Sequence, residues 1–167
     1  MSKTEQFLKE AFAGESQANR KYLAFAAKAE QEGYPQIARL FRAAADAETV
    51  HAHSHLRALN GIKSTKENLQ EAIAGETHEF KKMYPDFIAE AKKEENKKAL
   101  ISFHYANRVE QIHAGLYQKA IDALVAKKEL PKVDYYVCPV CGNTFEGSPP
   151  EICPICATAK NSFSKIS

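Results

Sequence analysis

An internal repeat accounts for most of the first 125 positions of this 167-residue chain. Residues 8–16 (LKEAFAGES) match residues 69–77 (LQEAIAGET) at an offset of 61, and the pattern in 41–52 recurs in 103–114 at an offset of 62. One inserted residue reconciles the two offsets. Each copy has apolar residues at helical spacing in two stretches, so the repeat doubles a pair of helices. The sequence therefore predicts an all-α, antiparallel four-helix bundle with an approximate two-fold axis.

Capping and breaking residues mark the ends of the four helices. Ser2 and Ser64 each stand three residues before a glutamate, a pattern typical of the capping box that begins a helix. Gly33 can end the first helix, and Pro35 suits the first turn of the second. Pro85 interrupts the third helix and predicts a kink or a local bulge near 83–85. We expect helices at about 3–32, 35–60, 65–94 and 96–127.

The repeat also pairs glutamates and histidines that suit a metal site. Each copy has one separate glutamate and one Glu-x-x-His motif, whose two side chains share a face of a helix. Carboxylates are hard ligands that can bridge two cations, imidazole suits iron, and a buried glutamate without a metal would be costly. One such element per helix is the pattern of di-iron sites in ferritin-like bundles. The candidate ligands are Glu15, Glu48, His51, Glu76, Glu110 and His113.

One further acid breaks the symmetry of this set. Glu79 lies three residues after Glu76 on the same helix face, whereas its counterpart in the first copy is Ala18. Glu79 is either a solvated helical acid or a seventh, exchangeable ligand. Tyr22 and Tyr84 are either core aromatic residues or hydrogen-bond donors to a ligating carboxylate.

The four cysteines form a second metal-binding pattern. They occur as Cys138-x-x-Cys141 and Cys153-x-x-Cys156, in a stretch that also contains four of the seven prolines. Two facing Cys-x-x-Cys turns make a tetrahedral four-thiolate site, and so short a segment needs its metal to fold. The spacing alone leaves zinc and iron open. We expect a linker at 127–134, a helical domain at 1–130 and a small metal-binding domain at 131–167.

Composition excludes several classes of function. The net charge of +2 gives no reason to expect nucleic acid or an anionic membrane as a partner. No apolar run approaches the roughly 20 residues that span a bilayer. The first ten residues contain lysine and glutamate where a signal peptide would be apolar, so we expect a cytoplasmic protein.

The two ligand patterns together resemble the rubrerythrin family over essentially the whole chain. The resemblance implies a ferritin-like four-helix bundle fused to a small C-terminal rubredoxin-like domain. It implies two irons in the carboxylate site and one iron bound by the four cysteines. The implied activity is that of a non-haem di-iron peroxidase, which reduces hydrogen peroxide to water in defence against oxidative stress.

The same resemblance implies a role for each matching residue. The separate glutamates would be terminal ligands, the glutamates of the motifs would bridge the irons, and His113 would be a permanent ligand. Glu79 would bind one iron in the oxidised state, and His51 would replace it in the reduced state. The tyrosines would donate hydrogen bonds beside the irons. The terminal ligands would thus be Glu15 and Glu76, and the bridging ligands Glu48 and Glu110. The two tyrosines are Tyr22 and Tyr84.

The resemblance also implies partners. The sequence contains no G-x-G-x-x-G nucleotide motif, so an NAD(P)H-dependent reductase, a separate rubredoxin, or both would supply the electrons. A head-to-tail homodimer is expected, in which the tail of one subunit faces the bundle of the other. An exchange of the first two helices between subunits is left open. The resemblance has one departure, because Ala157 follows the last cysteine where the family has glycine.

Two other classes of protein share parts of this pattern. A ferritin-like ferroxidase that handles iron would use the same carboxylates, although the fifth glutamate and the cysteine tail argue against it. A structural or adaptor protein would combine a helical bundle with a zinc ribbon. Because a ferric four-thiolate centre is red and a zinc centre is colourless, colour separates that class from the peroxidase.

Overall fold

The computed structural model describes residues 2–166. The chain divides into two compact units, residues 1–63 and residues 64–167. Each copy of the repeat therefore belongs to its own unit, and the cysteine-rich tail belongs to the second.

The first unit is a hairpin of two helices, α1 (Lys3–Gln31) and α2 (Pro35–Ala58). Gly33 lies in the turn with a φ of 81°, a backbone conformation that glycine adopts without strain. The buried contact between the helices is built from the small side chains of Ala26, Ala29 and Ala38. Phe41 packs against this cluster. Small residues let two helices approach closely, so the hairpin is held along its length.

A buried asparagine also joins the two helices of the hairpin. The Nδ2 group of Asn19 donates to the carbonyl oxygen of Ala45 at 2.7 Å and to the Thr49 hydroxyl at 2.8 Å. Its Oδ1 accepts from Arg20 Nε. A buried amide with such partners fixes one register between helices. The sequence reasoning missed Asn19 because nothing in its periodicity separates it from the other polar helix positions.

The second unit begins with a helix that changes its winding. It runs as α3 (Thr65–His78), a π-helical segment (Glu79–Met83) and α4 (Tyr84–Lys93), and both α3 and α4 pack on α5 (Lys97–Val125). The local bulge predicted near 83–85 is confirmed. Within the segment the Tyr84 N–H donates to the carbonyl oxygen of Glu79, five residues back.

The π-helical segment also explains the inserted residue of the repeat. Near the start of the repeat, residues 8–16 match residues 69–77 at an offset of 61. At the end of the same helix, Gln31 in the first copy corresponds to Lys93 in the second at an offset of 62. The extra residue therefore lies inside the helix rather than in a loop. A π-bulge absorbs one added residue in a helix, and Pro85, which has no N–H to donate, lies two residues after it.

The C-terminal module is a three-stranded antiparallel sheet with two cysteine turns. Its strands are β1 (Tyr135–Val137), β2 (Thr144–Glu146) and β3 (Ser164–Ile166), in the order β2-β1-β3. The rings of Phe145 and Phe163 stack at 5.2 Å between centroids. So small a sheet buries little apolar surface, so the module depends on its cysteine site.

The module lies against α5 of its own chain. Lys119 on α5 forms a salt bridge with Glu146 on β2. A Cβ built on Gly142 would lie 3.9 Å from Val109 Cγ1, so the first cysteine turn approaches the middle of α5. The second unit therefore contains both the cysteine module and the helix that carries Glu110 and His113.

No helix in the described part of the chain is both long enough and apolar enough to cross a membrane.

Candidate metal centres

The first ligand group lies on the α1–α2 hairpin. Glu15 on α1 and Glu48 and His51 on α2 bring ligand atoms within 4.8 Å of one another. The Nδ1 atom of His51 lies 3.0 Å from Glu48 Oε2. The His51 side chain is 56% exposed, whereas that of Glu48 is 18% exposed. Glu48 is therefore better covered than the imidazole of His51.

The two carboxylates of this group affect each other's protonation. A hydrogen bond with Glu48, followed by burial, raises the pKa of Glu15. A hydrogen bond with His51, followed by that with Glu15, lowers the pKa of Glu48. Glu15 therefore binds a proton more tightly than Glu48 does. A cation placed between these oxygens would replace that proton.

The second ligand group lies on α3 and α5. Glu76, Glu110 and His113 again bring ligand atoms within 4.8 Å of one another. The Nδ1 atom of His113 lies 2.8 Å from Glu110 Oε2 and 3.7 Å from Glu76 Oε1. The His113 side chain is 26% exposed, less than half as much as its counterpart His51.

The acids of the second group hold protons more tightly than ordinary glutamates. Burial, followed by the charge of Glu110, raises the pKa of Glu76 to about 7. Burial and then the charge of Glu110 also raise the pKa of Glu79. Several carboxylates at a partly buried site are costly when ionised, and a cation removes that cost.

Glu79 lies beside the second ligand group but not within it. It is the first residue of the π-helical segment, and it is absent from the set whose ligand atoms all lie within 4.8 Å. Its charge nevertheless interacts with those of Glu110 and His113. The acid that breaks the symmetry of the repeat thus lies where the helix is locally rewound.

The two predicted tyrosines occupy corresponding aromatic clusters. Tyr22 contacts the rings of Phe25 and Phe41. Tyr84 contacts the corresponding rings at positions 87 and 103. Burial, followed by the charge of Glu79, raises the pKa of Tyr84, so its phenol stays protonated beside the second ligand group.

The four cysteine sulfurs are arranged for one metal ion. Cys138 Sγ lies 3.5 Å from Cys156 Sγ, and Cys141 Sγ lies 3.6 Å from Cys153 Sγ. All four are free thiols. With metal–sulfur bonds of about 2.3 Å, the sulfurs of a tetrahedral site lie roughly 3.8 Å apart, so the cluster fits a four-thiolate ion.

The two cysteine turns have matching backbones. Burial opposes ionisation of Cys138 and Cys153, but backbone N–H groups outweigh it and lower the pKa of each, to about 6 for Cys153. Burial raises the pKa of Cys141. After the second cysteine of each turn, Gly142 has a φ of 81° and Ala157 a φ of 62°. The substituted position therefore keeps the left-handed conformation that glycine favours.

Three polar residues of the module were missed by the sequence reasoning. Asn143 is buried, and its Nδ2 lies 3.8 Å from Cys153 Sγ. The Thr158 hydroxyl lies 3.1 Å from Cys156 Sγ. The Thr144 hydroxyl lies 2.8 Å from His113 Nε2. Asn143 and Thr158 each stand two residues after a cysteine, a spacing that could have drawn attention to them, whereas nothing in the sequence signals the contact of Thr144 with α5.

Both donor sets fit iron. Oxygen and imidazole donors on one helix face suit ferrous and ferric ions, and four thiolates suit iron or zinc. The raised pKa values of Glu15, Glu76 and Glu79 show that ionised carboxylates are costly there without a cation, and the cysteine sulfurs already have tetrahedral spacing. The residues present therefore match the two kinds of iron site expected from the sequence.

Comparison with known proteins agrees with this geometry. The family model described as rubrerythrin matches residues 6–121, and that described as the rubrerythrin rubredoxin-like domain matches residues 136–164. The predicted fold class, a ferritin-like helical protein with a small rubredoxin-like module, is confirmed.

Individual relatives match nearly the full chain. Rubrerythrin-2 of Clostridium acetobutylicum is 40% identical over 96% of this chain and 95% of its own length. Nigerythrin of Nitratidesulfovibrio vulgaris is 37% identical over 96% of this chain and 85% of its own length. A solved structure of nigerythrin in a mixed-valence state has a TM-score of 0.58, with 36% identity over 99% of this chain and 88% of that one. The chain belongs to the rubrerythrin family, whose members bind a di-iron site and a rubredoxin-like Fe(Cys)4 site.

Proposed function

We propose that this protein is a peroxidase that reduces hydrogen peroxide to water. Each peroxide takes two electrons and two protons, its O–O bond breaks, and two water molecules form. The observation that carries the proposal is the packing, within residues 64–167, of a four-cysteine module against the helix that presents Glu110 and His113. A ferroxidase needs no such module, whereas a peroxidase needs a port through which electrons enter.

The ligands of both repeat copies would hold the two irons. Each group of three offers too few donors for two cations, so neither group alone accounts for both irons. The bound irons would supply the electrons for reduction, with a change from ferrous to ferric. The ligands proposed for them are Glu15, Glu48, His51, Glu76, Glu79, Glu110 and His113.

Glu79 and His51 would be the ligands that alternate between the oxidation states of the bound iron. His51 is the more exposed of the two ligand histidines, and Glu79 lies outside the second group of three. Each is therefore free to bind or to leave. His113 is held at both ring nitrogens and stays in place.

A protonated tyrosine beside the second ligand group can help to relay the two protons, which come from solvent at each turnover. Glu76, with a pKa of about 7 before metal binds, would give up its proton once, when the site is loaded, and would supply none during turnover. Tyr84 keeps its phenolic proton, because burial raises its pKa, and can donate a hydrogen bond at the site. In the first copy, the Tyr22 hydroxyl would donate a hydrogen bond beside the irons.

Electrons enter through the iron bound by the four cysteines. Because the 167-residue sequence has no G-x-G-x-x-G motif, an NAD(P)H-dependent reductase, a separate rubredoxin, or both in sequence deliver them. The domains at 1–130 and 131–167 would thus divide the work into peroxide reduction and electron entry.

The protein acts as a homodimer. Several large apolar side chains of the hairpin are exposed, including Leu40 at 68% and Val50 at 62%. A set of exposed apolar residues on a globular protein is typical of an interaction surface. In the head-to-tail dimer that we favour, the module of one subunit also faces helices of the other. Light scattering tests the dimer, with about 37 kDa expected, twice the 18.6 kDa mass of the chain.

A reductant-dependent assay tests the proposed activity. The iron-loaded protein is mixed with reduced rubredoxin and hydrogen peroxide, and the loss of peroxide is followed without oxygen. We expect catalytic turnover that stops in a Cys153→Ser variant. Loss of ferrous iron with dioxygen but not with peroxide, together with a large hollow assembly, would instead identify a ferroxidase.

A further inference from the structure

His113 contacts polar groups through both of its ring nitrogens. Its Nδ1 lies 2.8 Å from Glu110 Oε2, inside the second ligand group. Its Nε2 lies 2.8 Å from the hydroxyl oxygen of Thr144, the first residue of β2. That hydroxyl oxygen lies 3.3 Å from the carbonyl oxygen of Gly142, which directly follows Cys141. Two hydrogen bonds thus connect His113 of the second ligand group to Gly142, the residue that is covalently joined to Cys141 of the module.

Metal binding decides the direction of these hydrogen bonds. A histidine nitrogen that binds a cation has no proton, so binding through Nδ1 leaves the ring proton on Nε2. Nε2–H then donates to the Thr144 hydroxyl oxygen, and the hydroxyl donates its own proton to the Gly142 carbonyl oxygen. A hydroxyl has one proton to donate and two lone pairs, so Thr144 satisfies both neighbours at once.

We propose that Thr144 is the positioning residue of His113. Its hydroxyl holds the imidazole in the tautomer and orientation that present Nδ1 to a metal ion. This inference rests on the proposed role of His113 as an iron ligand. It adds a link between the module and the carboxylate site that the ligand set alone does not contain.

The surroundings of the contact make this hydrogen bond consequential. The His113 side chain is mostly covered, and Thr144 is partly buried. Both residues line a largely apolar cavity of about 340 Å³, with Leu69, Leu116 and Tyr135 among its walls. In such a place water replaces a lost partner less well than it does beside the exposed His51, so Nε2–H would be left without a partner.

Three variants separate this contact from other effects on the module. Thr144→Val keeps the shape of the side chain and the preference for a strand but removes the hydroxyl. Thr144→Ser restores a hydroxyl at the same position. Thr158→Val is the matched control, because it removes a hydroxyl from the same module that contacts Cys156 rather than His113.

Two measurements on the full-length protein test the proposal. The first is the anaerobic titration of Fe²⁺ against a competing chelator, with zinc held in the cysteine site. The second is ¹⁵N NMR of the His113 ring in zinc-loaded protein, which identifies the protonated nitrogen and the exchange rate of its proton.

The expected results follow from the lost partner. Thr144→Val lowers Fe²⁺ affinity about 10–100-fold, while Thr144→Ser and Thr158→Val stay within about threefold of wild type. In the wild type the proton lies on Nε2 and exchanges slowly, and in Thr144→Val it exchanges faster.

Three results would overturn the inference. They are wild-type affinity in Thr144→Val, an equal loss in Thr158→Val, and a proton on Nδ1 in the zinc-loaded wild type. The last needs no variant, so a variant that fails to fold leaves the test intact. A wild-type protein that takes up no metal in its carboxylate site would overturn both this inference and the proposed function.

Discussion

The two copies of the repeat present the same three ligands but hold them differently. In the first copy His51 is more than half exposed and contacts Glu48 through Nδ1. In the second, His113 contacts Glu110 through Nδ1 and Thr144 through Nε2. The repeat thus accounts for the symmetric ligands, and features found in only one copy account for the different exposure and contacts of the two histidines.

Those single-copy features are an inserted residue and a tail. The inserted residue rewinds the helix at Glu79–Met83, where regular helix occurs in the first copy. The tail places a hydroxyl against His113. Both changes occur in the second unit, and in the proposed mechanism they would distinguish a permanent histidine ligand from an exchangeable one.

Removing each ligand histidine in turn tests the comparison most severely. We expect His113→Ala to lower the affinity for iron in the oxidised protein by about 100-fold or more, because it removes a permanent ligand. We expect His51→Ala to keep its oxidised iron and to lose affinity after reduction. Iron content before and after reduction measures both. Equal losses in the oxidised state would contradict the asymmetry.

A substitution of Glu79 tests the difference between the two copies next. Glu79→Ala should lower the rate of peroxide turnover about 10–100-fold while the reduced protein keeps its iron, since no acid is left to replace His51 in the oxidised state. Glu71→Ala is the control, because it removes an exposed acid from α3. Unchanged turnover in Glu79→Ala with full iron would refute the role assigned to Glu79.

The raised pKa of Glu76 predicts that the stability of the metal-free protein depends on pH. Its pKa is about 7 in the folded protein and near 4.5 when unperturbed, so the folded state binds the proton more tightly. The resulting stability is complete below pH 4.5 and is lost as the pH rises through 7. We expect roughly 1–2 kcal/mol, less than the full shift implies because water still reaches the side chain.

Denaturant unfolding after chelation of the carboxylate site measures this effect. Glu76→Gln should be much less sensitive to pH between 4.5 and 8, and Glu15→Gln should change the profile less. In the metal-loaded protein the sign reverses, because protons compete with iron for Glu76, and affinity should rise with pH up to about 7. A flat wild-type profile without metal would contradict the raised pKa.

The smallest expected change in stability concerns the two cysteine turns. Gly142 and Ala157 have the same left-handed conformation, which costs a residue with a Cβ roughly 1 kcal/mol. Ala157→Gly should therefore stabilise the module by about that amount, and Gly142→Ala should destabilise it by a similar one. Thermal unfolding of the zinc-loaded protein compares them. Destabilisation by Ala157→Gly would show that the second turn has adapted to alanine.

The sequence predicted many of the features that depend on local spacing, although it missed Asn143 and Thr158, each two residues after a cysteine. The ligand motifs, the helix ends and the bulge before Pro85 all follow from residues a few positions apart. It did not predict the contact between His113 and Thr144, which are 31 residues apart and meet because the segment at 126–134 returns the chain to α5. Nor did it predict Asn19, whose partners lie on another helix.

A single-turnover experiment tests the central claim most directly. The iron-loaded protein is reduced without oxygen and mixed with small portions of hydrogen peroxide while the red colour of the ferric four-cysteine centre is followed. The account predicts that the colour returns fully after about 1.5 equivalents of peroxide per chain, because three ferrous irons give three electrons and each peroxide takes two. A four-cysteine centre that stays reduced while the peroxide is consumed would contradict it.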